Sequence, residues 1–126
     1  MTDPLLRRRV MHLQRKGMKL EPDFLEQIDA VLISHLHWDH LHLPSLRGLD
    51  PHTRLVVPVG SASLFQKEGF QEIEELPVGG VTQVGPVAVE GVHALHDGSR
   101  VFSKVTADSL GFIVHGKQTV YFAGDT

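Results

Sequence analysis

Apolar residues along this chain gather in short runs rather than long stripes. Ala30-Val31-Leu32-Ile33 lies between Asp29 and Ser34 and predicts a buried strand over residues 30–34. Leu55-Val56-Val57-Pro58 predicts a second short strand. Further along, residues 72–76, 81–84, 87–93, 110–115 and 119–123 read as strands. Pro77, Gly79-Gly80, Gly85-Pro86, Gly98 and Gly116-Lys117 punctuate them. The short connection at Gly116-Lys117 predicts a hairpin between the last two strands. Helices are expected mainly in the first half. A basic helix over residues 5–16 would end at Gly17, and a short one over 22–28 would open on Pro22. Another is expected over 45–49 after Pro44, and one over 61–68 with Ser61 as cap and Gly69 as stop. Thr2-Asp3-Pro4 reads as a turn. Mixed helix and strand followed by a strand-rich part predicts an α/β layered unit, with strands buried against helices on one side. The sequence has no internal repeat, low-complexity tract or linker.

The strand at 30–34 runs directly into His35-Leu36-His37-Trp38-Asp39-His40. Alternate residues of an extended segment point the same way, so His35 and His37 can converge on one ion. Asp39 and His40 follow one turn later and can face a second ion nearby. Neutral imidazole and carboxylate are good zinc ligands, but they also accept manganese or iron. A mixed His and Asp set without cysteine favours an open site that leaves room for water over a closed structural one. The bland alternative is a surface loop that happens to be rich in histidine. Three histidines and an aspartate at this spacing, at the end of a strand, argue against it.

Composition narrows the partners. The chain has 126 residues and a formal net charge of -3, so it offers no broad attraction to nucleic acid or anionic membrane. Arg7-Arg8-Arg9 with Arg15-Lys16 is the basic patch, read as a solvated helix face, with phosphate or acidic head groups as the alternative ligand. There is no cysteine, which excludes disulfides and thiolate ligands and is compatible with a cytoplasmic location. No apolar stretch approaches the roughly 20 residues of a membrane span, and the basic N-terminus lacks the apolar region of a secretory signal.

Two further strand ends carry metal-capable groups. His96 follows the strand at 87–93 and precedes Asp97-Gly98; His93, three residues earlier, reads as an ordinary strand residue. Asp125 follows Val120-Tyr121-Phe122-Ala123, and Gly124 before it permits close backbone approach. Its two carboxylate oxygens could bridge two ions.

These residues together resemble the metallo-β-lactamase superfamily. The likeness rests on His35-Leu36-His37-Trp38-Asp39-His40, Ala94-Leu95-His96-Asp97 and Phe122-Ala123-Gly124-Asp125-Thr126. Thr2-Asp3-Pro4, residues 28–34, Pro44-Ser45-Leu46 and Ala94-Leu95-His96-Asp97-Gly98-Ser99-Arg100 are similar to the branch with ascorbate-phosphate lactonase-like proteins and N-acyl-phosphatidylethanolamine phospholipase D-like hydrolases. The resemblance implies that His35, His37 and His96 hold one ion, that Asp39 and His40 hold a second, and that Asp125 bridges them. It implies two zinc ions, with Mn(2+) or Fe(2+) as alternatives. Water activated between them would attack an ester, lactone, amide or phosphodiester of a small-molecule or lipid-like substrate, with Asp39 as the catalytic residue that orients the water or takes its proton. Di-iron members that reduce oxygen carry a Glu at the position of His37, which disfavours that chemistry. His42 stands where relatives often carry an Asp, and is read as a surface residue rather than a supporting donor.

The family fold is an αββα sandwich of two similar halves, of which residues 1–126 match roughly the N-terminal half. They are therefore expected to form a single, incomplete domain. A final His that relatives contribute to the second ion has no counterpart here. An incomplete sandwich would expose one sheet face, which favours a homo-oligomer or a complementing chain. The competing reading is an inactive fragment or metal-binding remnant. A nuclease of the same superfamily has only the shared motif in its favour.

Overall fold

The computed structural model describes residues 1–10, 12–14, 16–17, 22–97 and 105–126. The described elements follow the order β1 (Arg9–Val10), β2 (Leu13–Gln14), α1 (Pro22–Glu26), β3 (Val31–Leu32), α2 (Leu43–Leu46), β4 (Leu55–Pro58), α3 (Ala62–Lys67), β5 (Ile73–Leu76), β6 (Val81–Val84), β7 (Val87–His93), β8 (Leu110–His115) and β9 (Thr119–Phe122). Strands β3, β4 and β5 form a parallel sheet in that order, and β6 to β9 form an antiparallel meander.

The two sheets face each other, and period-two alternation explains why the parallel strands read as continuous apolar runs. Val31, Ile33, Leu55 and Val57 project into one cluster, with Leu46 of α2 and Phe65 of α3. Leu32 and Val56 point the other way, onto Val89, Leu110 and Phe112 of the antiparallel sheet. A parallel sheet covered on both faces has no solvent side to mark with polar residues. The layers are therefore helix, parallel sheet and antiparallel sheet. On the outer side of the meander Val81 and Tyr121 are exposed.

Strands β4, β6, β7 and β8 match their expected bounds, and β8 and β9 form the expected hairpin, with His115 opposite Thr119. Helix α3 also lies where expected. Gly69 follows it at φ +96°, a conformation an L side chain rarely adopts, and its N–H donates to the Gln66 carbonyl. Ser61 occupies the cap position without capping. Its hydroxyl donates to the Pro58 carbonyl, and the Glu75 carboxylate instead accepts from the N–H groups of Gly60 and Ala62.

Two expectations fail in the first 17 residues. The basic helix over 5–16 is instead a short antiparallel pair, with Arg9 opposite Gln14 and Val10 opposite Leu13. Leu6 packs on the first core cluster, the Ser45 hydroxyl oxygen accepts the N–H groups of Leu6 and Arg7, and the Arg7 guanidinium donates to the Pro44 carbonyl. These tertiary anchors hold the chain extended where local periodicity allowed a helix. The solvated helix face expected for the arginines is lost with it; Arg15 lies outside the described residues. Thr2-Asp3-Pro4 is not a free turn either. Thr2 bridges Leu32 in parallel, the Met1 carbonyl accepts the Leu32 N–H, and the Asp3 N–H donates to the Leu32 carbonyl. The chain start thus extends the parallel sheet beside β3. Gly98, Ser99 and Arg100 lie outside the described residues.

Candidate metal centre

Strand β3 delivers the His-rich segment between two supports. The Ile33 N–H donates to the Val56 carbonyl on one side, and the Ser34 carbonyl accepts the Leu110 N–H from the other sheet. His35 is thereby fixed in the interior, with 0% of its surface exposed. The chain then turns: the His37 carbonyl accepts the N–H groups of His40 and Leu41, which folds Asp39 and His40 back beside His35. The ring centroids of His35 and His40 are 4.2 Å apart. Two strand ends complete the cluster. β7 ends at His93, and the Ala94 N–H to Ser109 carbonyl bond steers the chain so that His96 meets His37, Nε2 to Nδ1, at 3.0 Å. β9 leads through Gly124 to Asp125.

Gly124 carries out the role expected of it. It has φ +62°, and a Cβ there would lie 3.0 Å from both the Leu110 carbonyl oxygen and the Ser34 Cβ. Only a residue without a side chain lets the end of β9 close on β3. The closure aims the two Asp125 oxygens in different directions. Oδ1 is 3.1 Å from His40 Nε2, while Oδ2 is 4.0 Å from His35 Nε2 and 3.8 Å from His96 Nε2.

All six residues expected at the site thus gather in one place. Among the described residues they sort into His35, His37 and His96 on one side, and Asp39, His40 and Asp125 on the other, each with candidate donor atoms within 4.8 Å of one another. His93 belongs to neither group. His42, read as a surface residue, is half-buried at the start of α2, where its Nδ1 lies 2.7 Å from Ser45 Oγ, the oxygen that also accepts the Leu6 and Arg7 N–H groups; it is in neither group of candidate donors.

Two contributors were not foreseen. Asp3 reaches in from the chain start, its carboxylate accepting the Ser34 N–H at 2.7 Å and the Ser34 hydroxyl at 2.5 Å. The same carboxylate lies 2.8 Å from His40 Nδ1. An ionised carboxylate accepts only, so Nδ1 of His40 carries a proton, and Nε2, 3.1 Å from Asp125 Oδ1, is the ring atom left to bind a metal. Ser34 Oγ, its proton given to Asp3, accepts from His35 Nδ1 at 3.0 Å and leaves His35 in the same tautomer. Asp3 therefore orients one imidazole in each group. Its 31-residue separation from Ser34 puts it beyond local pattern; pairing of the chain start with β3 brings it in.

The electrostatics suit a cation. Burial, then the neighbouring imidazoles of His40 and His37, push the His35 pKa down to about 4, with Asp125 pulling partly the other way, so this ring is neutral at pH 7. Its Nε2 is buried and has no hydrogen-bond partner. A buried lone pair without a donor costs on the order of 1–3 kcal/mol, and a divalent ion removes that cost. Burial also raises the Asp3 carboxyl pKa, against the hydrogen bonds from Ser34 and the contact with His40. A neutral His35 with a buried lone pair left over, beside further imidazoles and a carboxylate, fits a divalent metal.

Comparison with known proteins agrees. The family model described as beta-lactamase superfamily domain matches residues 1–126. The chain belongs to the beta-lactamase superfamily. Among curated relatives, a UPF0173 metal-dependent hydrolase from Solibacter usitatus is 29% identical over 121 residues, which cover 88% of this chain and 48% of that protein. The chain spans about half the length of the curated relatives it matches. Of solved structures, the diiron β-hydroxylase CmlA of Streptomyces venezuelae aligns with a TM-score of 0.74 at 22% identity, over 98% of this chain and 25% of that one. An isothiocyanate hydrolase from Delia radicum gut bacteria aligns with a TM-score of 0.69 at 19% identity, over 99% of this chain and 55% of that one. The architecture is a partial metallo-β-lactamase fold, matching a quarter to about half of those chains. A diiron protein shares the fold, so the fold by itself does not select zinc over iron. Among the described residues no helix is long and apolar enough to cross a membrane.

Proposed function

We propose that this chain carries the catalytic metal centre of a binuclear hydrolase acting on an ester, lactone or phosphodiester bond of a small molecule. The observation that carries the reading is the division of donors: the buried, unpartnered Nε2 of His35 among three imidazoles on one side, and Asp125 turning one oxygen to each group. His35, His37 and His96 would hold one ion, Asp39 and His40 the other, with Asp125 between them. Zinc is the preferred metal for a cysteine-free His and Asp set, with manganese and iron as alternatives. When bound, such ions make hydroxide available near neutral pH and polarise the oxygen of the bond to be cleaved.

The chain's own residues do the rest. Asp39 is exposed beside His40 and can accept a proton from the attacking water. Asp3 holds His40, and through Ser34 holds His35, so that Nε2 of each faces inward. Leu36 and Leu41, which sit next to donors in sequence, are fully buried in the core and anchor the segment. We read residues 1–126 as one domain of a cytoplasmic protein, consistent with the lack of cysteine. A second reading, a metal-binding unit that is inactive unless another chain completes it, is supported by the single imidazole in the Asp39, His40 and Asp125 group.

Metal analysis and turnover test both. The purified chain should bind about two zinc or manganese ions and hydrolyse p-nitrophenyl esters or bis-p-nitrophenyl phosphate, and His37→Ala should abolish both. Two ions with no turnover favours the second reading. Full metal content and activity in His37→Ala would end the proposal.

A further inference from the structure

Two of the large apolar side chains left exposed in this structure are sequence neighbours of the metal-centre residues. Trp38 lies between His37 and Asp39, and Leu95 immediately precedes His96. Trp38 is 48% exposed and Leu95 is 80% exposed. Neither belongs to either core cluster. The segments that carry them meet where His37 Nδ1 lies 3.0 Å from His96 Nε2. An isolated exposed Leu needs no explanation. An aromatic and an aliphatic residue, each exposed and one position from a metal-capable histidine on touching segments, offer an apolar rim to whatever approaches the polar centre. Ligand sites commonly pair a few placed polar groups with such surface.

We infer that this rim is a specificity element, and that the natural substrate carries an apolar acyl, alkyl or aryl group next to the bond presented to the metals. The inference rests on the metal-centre reading above. A substrate whose reacting group lies between His96 and Asp125 would lay its adjoining chain over Leu95 and the Trp38 ring. A small polar substrate would leave both in water.

Trp38 is the single tryptophan of the chain, so it reports on its own site. The zinc-loaded protein is titrated with methylphosphonate and then with longer n-alkylphosphonates up to heptylphosphonate, followed by tryptophan fluorescence and calorimetry. Complete burial of the six added methylenes would tighten binding roughly a thousandfold or more. An open rim covers one side only, so heptylphosphonate should bind about ten- to a hundredfold tighter than methylphosphonate, with a blue shift of Trp38 emission. The gain should vanish with EDTA. That control separates the rim from the apolar crevice of about 520 Å³ near Phe24, Val87 and Val114, which a free alkyl chain could also enter. Leu95→Ser should cut the gain at least threefold, and its exposure makes the substitution harmless to folding. Trp38→Ala, read by calorimetry, should cut it further. A zinc-loaded protein that shows no chain-length gain, or a gain that persists in EDTA or in Leu95→Ser, overturns the inference and leaves the metal centre standing. A chain that takes up no zinc overturns both.

Discussion

Removing the Asp3 carboxylate tests whether the chain start organises the metal centre. In Asp3→Ala the Ser34 N–H loses its acceptor at 2.7 Å, the Ser34 hydroxyl loses its partner, and His40 Nδ1 loses its contact at 2.8 Å. Ser34 is fully buried and the Asp3 side chain is 6% exposed, so water does not readily replace these bonds. One stranded buried donor costs about 1–3 kcal/mol, and a hydrogen bond to a charged group contributes about 1.5–3 kcal/mol. With partial relaxation, the metal-free protein should lose roughly 2–4 kcal/mol in urea denaturation with EDTA. Loss of a carboxylate that orients a liganding imidazole also weakens metal binding, by about 10–100-fold. Asp3→Asn separates the two effects. Its amide oxygen still accepts the Ser34 N–H, while its NH₂ replaces the oxygen that both the Ser34 hydroxyl and His40 face, so part of the stability should return. Its NH₂ turned toward His40 needs an acceptor there, which moves the imidazole proton onto Nε2 and blocks the donor atom. Asn should therefore be nearly as poor as Ala for zinc by calorimetry while being clearly the more stable. Wild-type zinc affinity in Asp3→Asn would refute the tautomer argument, and wild-type stability in Asp3→Ala would refute the claim of a buried anchor.

Gly124→Ala should cost about 1–3 kcal/mol, because alanine is strained at φ +62° and its Cβ meets the Leu110 carbonyl and Ser34 at 3.0 Å. It should also weaken zinc binding by displacing Asp125; an alanine variant equal to wild type in urea and in calorimetry would show that the close approach is not needed. The His35 pKa is depressed from 6.5 to about 4 in the folded chain, so the unfolded chain binds more protons between those values. This contribution is present above pH 6.5 and is lost as pH falls toward 4, at most about 3 kcal/mol by the linkage relation. Urea midpoints of the metal-free protein across pH 7 to 4 should decline more steeply in wild type than in His35→Gln, and parallel declines would contradict the assignment. Phe112→Ala removes a fully buried ring from between the two sheets, and should cost about 3–5 kcal/mol by urea denaturation; a loss under 1 kcal/mol would mean the sheets are not tightly packed there.

Much of this molecule is legible wherever neighbours in sequence are also neighbours in space. Strands β6, β7 and β8 announce themselves by alternation and by the glycines between them, because a half-buried strand repeats every two residues. The four donors from His35 to His40 are legible for the same reason: a strand and one tight turn suffice to gather them. His96 and Asp125 could be picked out because strand ends deliver side chains to one edge of a layered fold, although their meeting at Asp125 Oδ2, 3.8 Å from His96 Nε2, is a matter of tertiary closure. The segment at 5–16 misled because its apolar spacing suits a helix. Ser45, Pro44 and the core contact of Leu6 offer its backbone and side chains better partners than a helix would.

By itself the sequence determined the donor types, their spacing along the first strand end and the order of most strands, since these follow from side-chain chemistry and short-range periodicity. Only the tertiary structure decided that Asp3, from the edge of the parallel sheet, sets the tautomers of His40 and His35. It also decided that Gly124 brings one Asp125 oxygen toward each group of donors, and that Trp38 faces water rather than the core. The physical reason is the same in each case: hydrogen-bond direction and solvent exposure depend on which distant segments close on one another, and no local pattern carries that information.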